Sequence, residues 1–73
     1  MVIKQTKIGS KYLVSTIYLS YAGLIVGYET AVFDLTEKRD GELSMEHTSS
    51  YKQAMINHGK ALKQWKVFSI KKG

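Results

Sequence analysis

Seventy-three residues, 44% apolar and 23% charged, make one globular domain near the size at which a single hydrophobic core still sustains itself. That excludes a disordered chain and leaves little room for a deep pocket, while the absence of cysteine excludes disulfides and thiolate metal sites. The net charge of +5 is unevenly placed: residues 1–28 carry three lysines and no acid, residues 29–46 hold all six acids, and residues 47–73 carry six lysines and no acid.

In chain order, "MVIKQTKIGSK" lacks the apolar core of a signal peptide, and residues 1–10 form either a flexible arm or an edge strand. Residues 11–47 read as a hairpin and meander. Lys11 to Tyr21, rich in Tyr, Val, Ile, Leu and Thr, is a first strand, and Leu24 to Leu35 a second. The longest apolar-rich run, 12–28, is broken by Ser, Thr and Gly, which argues against a membrane span and for a soluble protein.

A two-residue loop at Ala22-Gly23 places Tyr21 opposite Leu24 and fixes an expected register for the whole hairpin. One face then carries Leu13, Ser15, Ile17, Leu19 and Tyr21 with Val32, Thr30, Tyr28, Val26 and Leu24; being more aliphatic, it should meet the helix. The other carries Tyr12, Val14, Thr16 and Tyr18 with Phe33, Ala31, Glu29 and Gly27, a mixed aromatic and polar face left open. A register shift of one residue would exchange the faces of one strand.

Asp40-Gly41 marks a tight turn, and Leu43 to His47 alternates like a short third strand. A helix follows over 50–65. Ser50 suits its N-cap, with Gln53 completing a capping-box spacing. Tyr51, Met55, His58, Leu62 and Trp65 make one stripe over four turns. Residues 66–73, "KVFSIKKG", alternate and read as a final short strand or a tail. The expected class is α+β: an antiparallel sheet of about three strands, a long hairpin plus a short strand, with one C-terminal helix packed on one face. Its structural core should include Ile17, Leu19, Val26, Tyr28, Met55, His58, Leu62 and Trp65.

Little in the chain points to catalysis, a metal or a cofactor. A metal site would need His47, His58 and one glutamate to converge, and a satisfied structural histidine is the simpler reading of His58. Ser15, His58 and Glu29 can be combined into a triad on paper, but neither a nucleophile elbow nor a glycine-rich oxyanion loop supports it. The scattered glycines form no phosphate cradle. Gly59, beside the stripe, could let a loop, strand or partner come close.

Binding is the better expectation. Lys60, Lys63 and Lys66 make a basic edge on or just past the helix, suited to an acidic or phosphate-rich partner or simply to solvation. Tyr12, Thr16, Tyr18, Glu29 and Phe33 would form the partner-binding sheet face. Tyr12, Tyr18 and Phe33 could instead stack nucleic-acid bases. Near-absence of arginine places protein binding ahead.

The blocks "VSTIYL" (14–19) and "YETAVF" (28–33), with Ser50, Ala54 and His58 followed by "GKALKQW", resemble a family of small uncharacterised bacteriophage proteins. The likeness covers about 12–65. It departs at "SYAGLIVG", where relatives often carry a longer loop containing glycine, proline and an Asp-His pair. The resemblance implies a phage origin and a location in the cytoplasm of the bacterial host. It brings no activity or cofactor with it. The function expected is a non-enzymatic accessory protein that binds and modulates a host or defence-system protein, in the manner of an anti-defence or host-takeover inhibitor. A nucleic-acid-binding module and a minor phage structural or assembly protein are the alternatives, and a homodimer is compatible with each.

Overall fold

The computed structural model describes residues 1–36 and 42–72. Four strands and one helix follow in the order β1 (Val2–Ile8), β2 (Tyr12–Tyr21), β3 (Leu24–Asp34), β4 (Ser44–Thr48) and α1 (Tyr51–Lys72). The strands form one antiparallel sheet in sequence order. The class is therefore α+β as expected, with four strands instead of about three. The additional strand is β1, which pairs with β2 from Val2↔Ile17 to Ile8↔Tyr12 as an edge strand. The expected Asp40-Gly41 turn lies outside the described residues.

The β2–β3 hairpin closes through Ala22 and Gly23, at φ 53° and 83°. A turn of this twist matches the right-handed twist of the strands it joins. Tyr21↔Leu24 and Ser20↔Ile25 follow the register that the turn predicts, and then the pairing shifts to Leu19↔Gly27. Val26 is left over as a bulge. From there the ladder runs Tyr18↔Tyr28, Thr16↔Thr30, Val14↔Val32 and Tyr12↔Asp34.

That one extra residue reverses the expected faces of β2, because side chains alternate with a period of two. Tyr12, Val14 and Thr16, 2%, 0% and 0% exposed, lie under the helix together with Thr30 and Val32. Ile17 and Leu19, expected in the core, stand on the opposite face and are only partly buried. Val26, also expected inside, is 54% exposed because a bulged residue near the hairpin tip has no neighbour across it.

The helix starts where expected. The Ser50 hydroxyl accepts a hydrogen bond from the Gln53 amide at 3.2 Å. The capping box is only half formed: the Ser50 amide donates to Thr48 Oγ1 at 3.2 Å, and the Gln53 side chain donates to Asn57 Oδ1 at 2.9 Å. Of the expected strand or tail at 66–73, residues 66–72 are helix instead, since α1 continues to Lys72, and Gly73 lies outside the described residues. No proline or glycine interrupts 60–72. Phe68, one turn past Trp65, joins the stripe: its ring lies 5.2 Å from Trp65 and 6.2 Å from Tyr12.

The core proper is Tyr12, Val14 and Val32, flanked by Ile8, Leu43, Ala61, Leu62 and Trp65. One helix on one sheet gives a slab of 43 × 25 × 14 Å. The hairpin beyond Tyr18 and Tyr28 runs past the ends of both edge strands, so its tip projects from the slab.

Candidate functional site

His58 sits at the middle of the helix–sheet contact and is 1% exposed. Its Nδ1 lies 2.7 Å from Thr16 Oγ1, and its Nε2 lies 3.0 Å from Thr6 Oγ1. Thr16 Oγ1 in turn lies 2.8 Å from Thr30 Oγ1. Thr6 and Thr16 reach the ring, and Thr30 reaches Thr16, because the three occupy helix-facing positions on β1, β2 and β3. The chain thus ties three strands to the helix through one imidazole. Among the described residues no buried side-chain nitrogen or oxygen lacks a partner.

Either charge state of the ring could be hydrogen-bonded. An imidazolium would donate to both Thr6 and Thr16 while the Thr16 hydroxyl donates to Thr30. The choice is made by solvation: desolvation by burial, and then the nearby Lys4 ammonium, lower the His58 pKa below the ordinary 6.5. The neutral ring is favoured, and its two nitrogens are occupied. Glu29, the acid of the paper triad, is on the far side of the sheet opposite Ile17 and His47, so that triad with Ser15 and His58 is not assembled. Among the described residues no three His, Cys, Asp or Glu side chains are grouped to hold a metal ion. His47 lies instead across Gly27, where an added Cβ would come within 2.6 Å of its Nε2.

The expected partner-binding set divides. Tyr12 and Thr16 are buried under the helix and present no surface. Tyr18 is half-buried on the helix side, and its hydroxyl donates to Met1 Sδ at 3.4 Å. Glu29 and Phe33 lie on the open side of the sheet, and Lys60, Lys63 and Lys66 are exposed on the helix. The three-ring stacking platform of Tyr12, Tyr18 and Phe33 is therefore not formed. Of the expected core, His58 is buried; Tyr28, Met55, Leu62 and Trp65 are half-buried. Tyr28 packs edge-on against Tyr51, centroids 5.8 Å apart, and Trp65 against Tyr12 at 5.2 Å.

Two surfaces remain. One is the open sheet face with Leu13, Ile17, Leu19 and Phe33, which no second layer covers among the described residues. The other is the hairpin tip, where Tyr21, Leu24, Ile25 and Val26 are 77%, 71%, 56% and 54% exposed. The tip was not anticipated as a surface, although one signal was available: no charged residue lies between Lys11 and Glu29. No family model, curated protein or solved structure matches the chain. No described helix is long and apolar enough to cross a membrane.

Proposed function

We propose that this chain is a non-enzymatic binding protein. It acts stoichiometrically on a host or defence-system protein in a bacterial cytoplasm, as a small phage accessory factor would. The observation that carries the reading is the projecting, uncharged hairpin tip. Four large apolar side chains held out around a two-residue turn are costly to leave in water and well suited to fill a pocket on another protein. Lys60, Lys63 and Lys66 supply long-range attraction toward an acidic or nucleic-acid-handling partner. The setting in phage biology rests on the resemblance of the strand and helix blocks.

The test is capture from a bacterial host lysate, followed by titration of the purified partner. Wild type should retain one partner near equimolar ratio, and Leu24→Glu or Ile25→Glu should lose it while melting as wild type does. Capture unaffected by both substitutions would reject the tip as the binding element; no specific partner would reject the reading.

The exposed helical lysines favour one second reading, direct nucleic-acid binding. It requires steeply salt-dependent affinity for random-sequence DNA or RNA that is lost when Lys60, Lys63 and Lys66 become Glu. No mobility shift at low salt would dismiss it. A minor structural or assembly role is the third reading, and it requires the chain to be present in the virion.

A further inference from the structure

We infer that the open face of the sheet is a dimerisation surface whose occupant is the same face of a second copy. This goes beyond the binding role assigned to the hairpin tip and does not depend on it. A compact monomer of 8.3 kDa exposes about 4,600 Å². This chain exposes 5266 Å², an excess of roughly 700 Å². The excess is close to the ~800 Å² per partner of a standard specific interface. The shape agrees, for the radius of gyration is 12.7 Å against about 11 Å expected of a compact domain this long. The bare sheet face and the projecting hairpin tip share this surplus, and a second slab laid on the sheet face would remove the sheet's part of it.

The face itself is built for such a contact. Leu13, Ile17, Leu19, Phe33 and Met45 supply apolar area. Its middle row is small: Ser15 and Ala31 face each other across β2 and β3, 6% and 8% exposed, sheltered by neighbouring side chains such as Gln5, whose amide donates to Ser15 Oγ at 3.3 Å. Large side chains on both sides of a low centre let two faces interdigitate, as inner faces of a sandwich do.

Charge and twist select a second copy as occupant. Lys7 and Glu29 are the charged residues on these strand positions, one of each sign, so two such faces can meet without stacking like charges. The outer surface of the helix, with Lys52, Lys60, Lys63 and Lys66, would repel its own copy. Two sheets of the same twist pack aligned at about −30°, so a flat sheet face is naturally complementary to itself under a two-fold axis. The product would be four layers, with the helices outside and both hairpin tips free.

The test is sedimentation equilibrium and light scattering of the intact chain from about 1 µM to about 500 µM, a range that spans weak and moderate homodimers. Wild type should approach twice 8.3 kDa with rising concentration. Ile17→Lys should remain monomeric, and Met45→Lys, at the 53%-exposed rim, should weaken association about tenfold. Trp65 fluorescence and far-ultraviolet circular dichroism establish that each variant is folded; if Ile17→Lys is not, the wild-type curve and Met45→Lys decide. A wild type that stays monomeric throughout would overturn the inference. So would a dimer that Ile25→Lys abolishes and the sheet-face substitutions leave intact. A monomeric wild type leaves capture of a host protein by the tip untouched, whereas a dimer formed through Ile25 would compete with that capture and is told apart from it by the concentration dependence.

Discussion

At the residue scale the molecule turns on His58. A buried imidazole hydrogen-bonded to Thr6 and Thr16, with Thr30 held behind Thr16, specifies how the helix seats on the sheet, since the Thr6 and Thr16 hydroxyls lose the ring if the helix shifts by a residue. Removing one hydroxyl leaves buried polar atoms unpaired. Thr16→Val, which strands both Thr30 Oγ1 and His58 Nδ1, should cost about 1–3 kcal/mol in urea denaturation. The pH response has a definite sign. Folding lowers the His58 pKa from 6.5, so the folded chain binds fewer protons than the unfolded chain on acidification. Its contribution should be fully present above about pH 6.5 and be lost as pH falls toward the depressed folded value. Urea midpoints measured from about pH 8 to about pH 5 should decline for wild type and decline less for His58→Gln. Equal slopes would show that His58 is not the group responsible.

At the element scale the helix and the hairpin each contain a local conflict with an external remedy. Gly59 lies within α1, and a Cβ built there meets nothing within 4 Å. The expectation that its missing side chain admits a neighbour is therefore not met within the chain. Gly59→Ala should stabilise by about 1 kcal/mol through helix propensity alone. Ala22 holds φ 53°, a region that penalises a Cβ by roughly 1–2 kcal/mol. Ala22→Asn or Ala22→Gly should raise the melting temperature, and a fall in either would mean that the turn geometry is different in solution. The helix stripe was legible because a 3.6-residue period over four turns has no strand equivalent. The continuation to Lys72 was not, since "KVFSIKK" satisfies both periods and only the Phe68 contacts with Tyr12 and Trp65 select the helix.

At the scale of the whole molecule, stability and binding occupy different parts of the slab. The helix side holds Tyr12, Val14, Val32 and the His58 cluster; the hairpin tip holds side chains that touch little of it. Leu24→Glu and Ile25→Glu should thus change stability by no more than about 0.5 kcal/mol, as exposed substitutions do. Trp65→Ala, which removes a ring packed against Tyr12 and Phe68, should cost about 3–5 kcal/mol and leave a chain this small largely unfolded. A large destabilisation by the tip variants would show instead that the hairpin end is covered, for example by another chain.

The amino-acid sequence by itself determined the strands of the hairpin, the turn at Ala22-Gly23, the Ser50 cap and the place of His58 on the buried stripe. These follow from local propensity and periodicity, which act within a few residues. Which face of β2 meets the helix was decided only in three dimensions. The turn register persists for two residue pairs and is then reset by the bulge at Val26. With Val14, Thr16, Thr30 and Val32 on one side, the sheet offers His58 its hydroxyls and the helix its aliphatic contacts together. A bulge costs little locally, and its sequence signature is weak, so nothing near Val26 announces it. The energy that favours it comes from the helix, far along the chain.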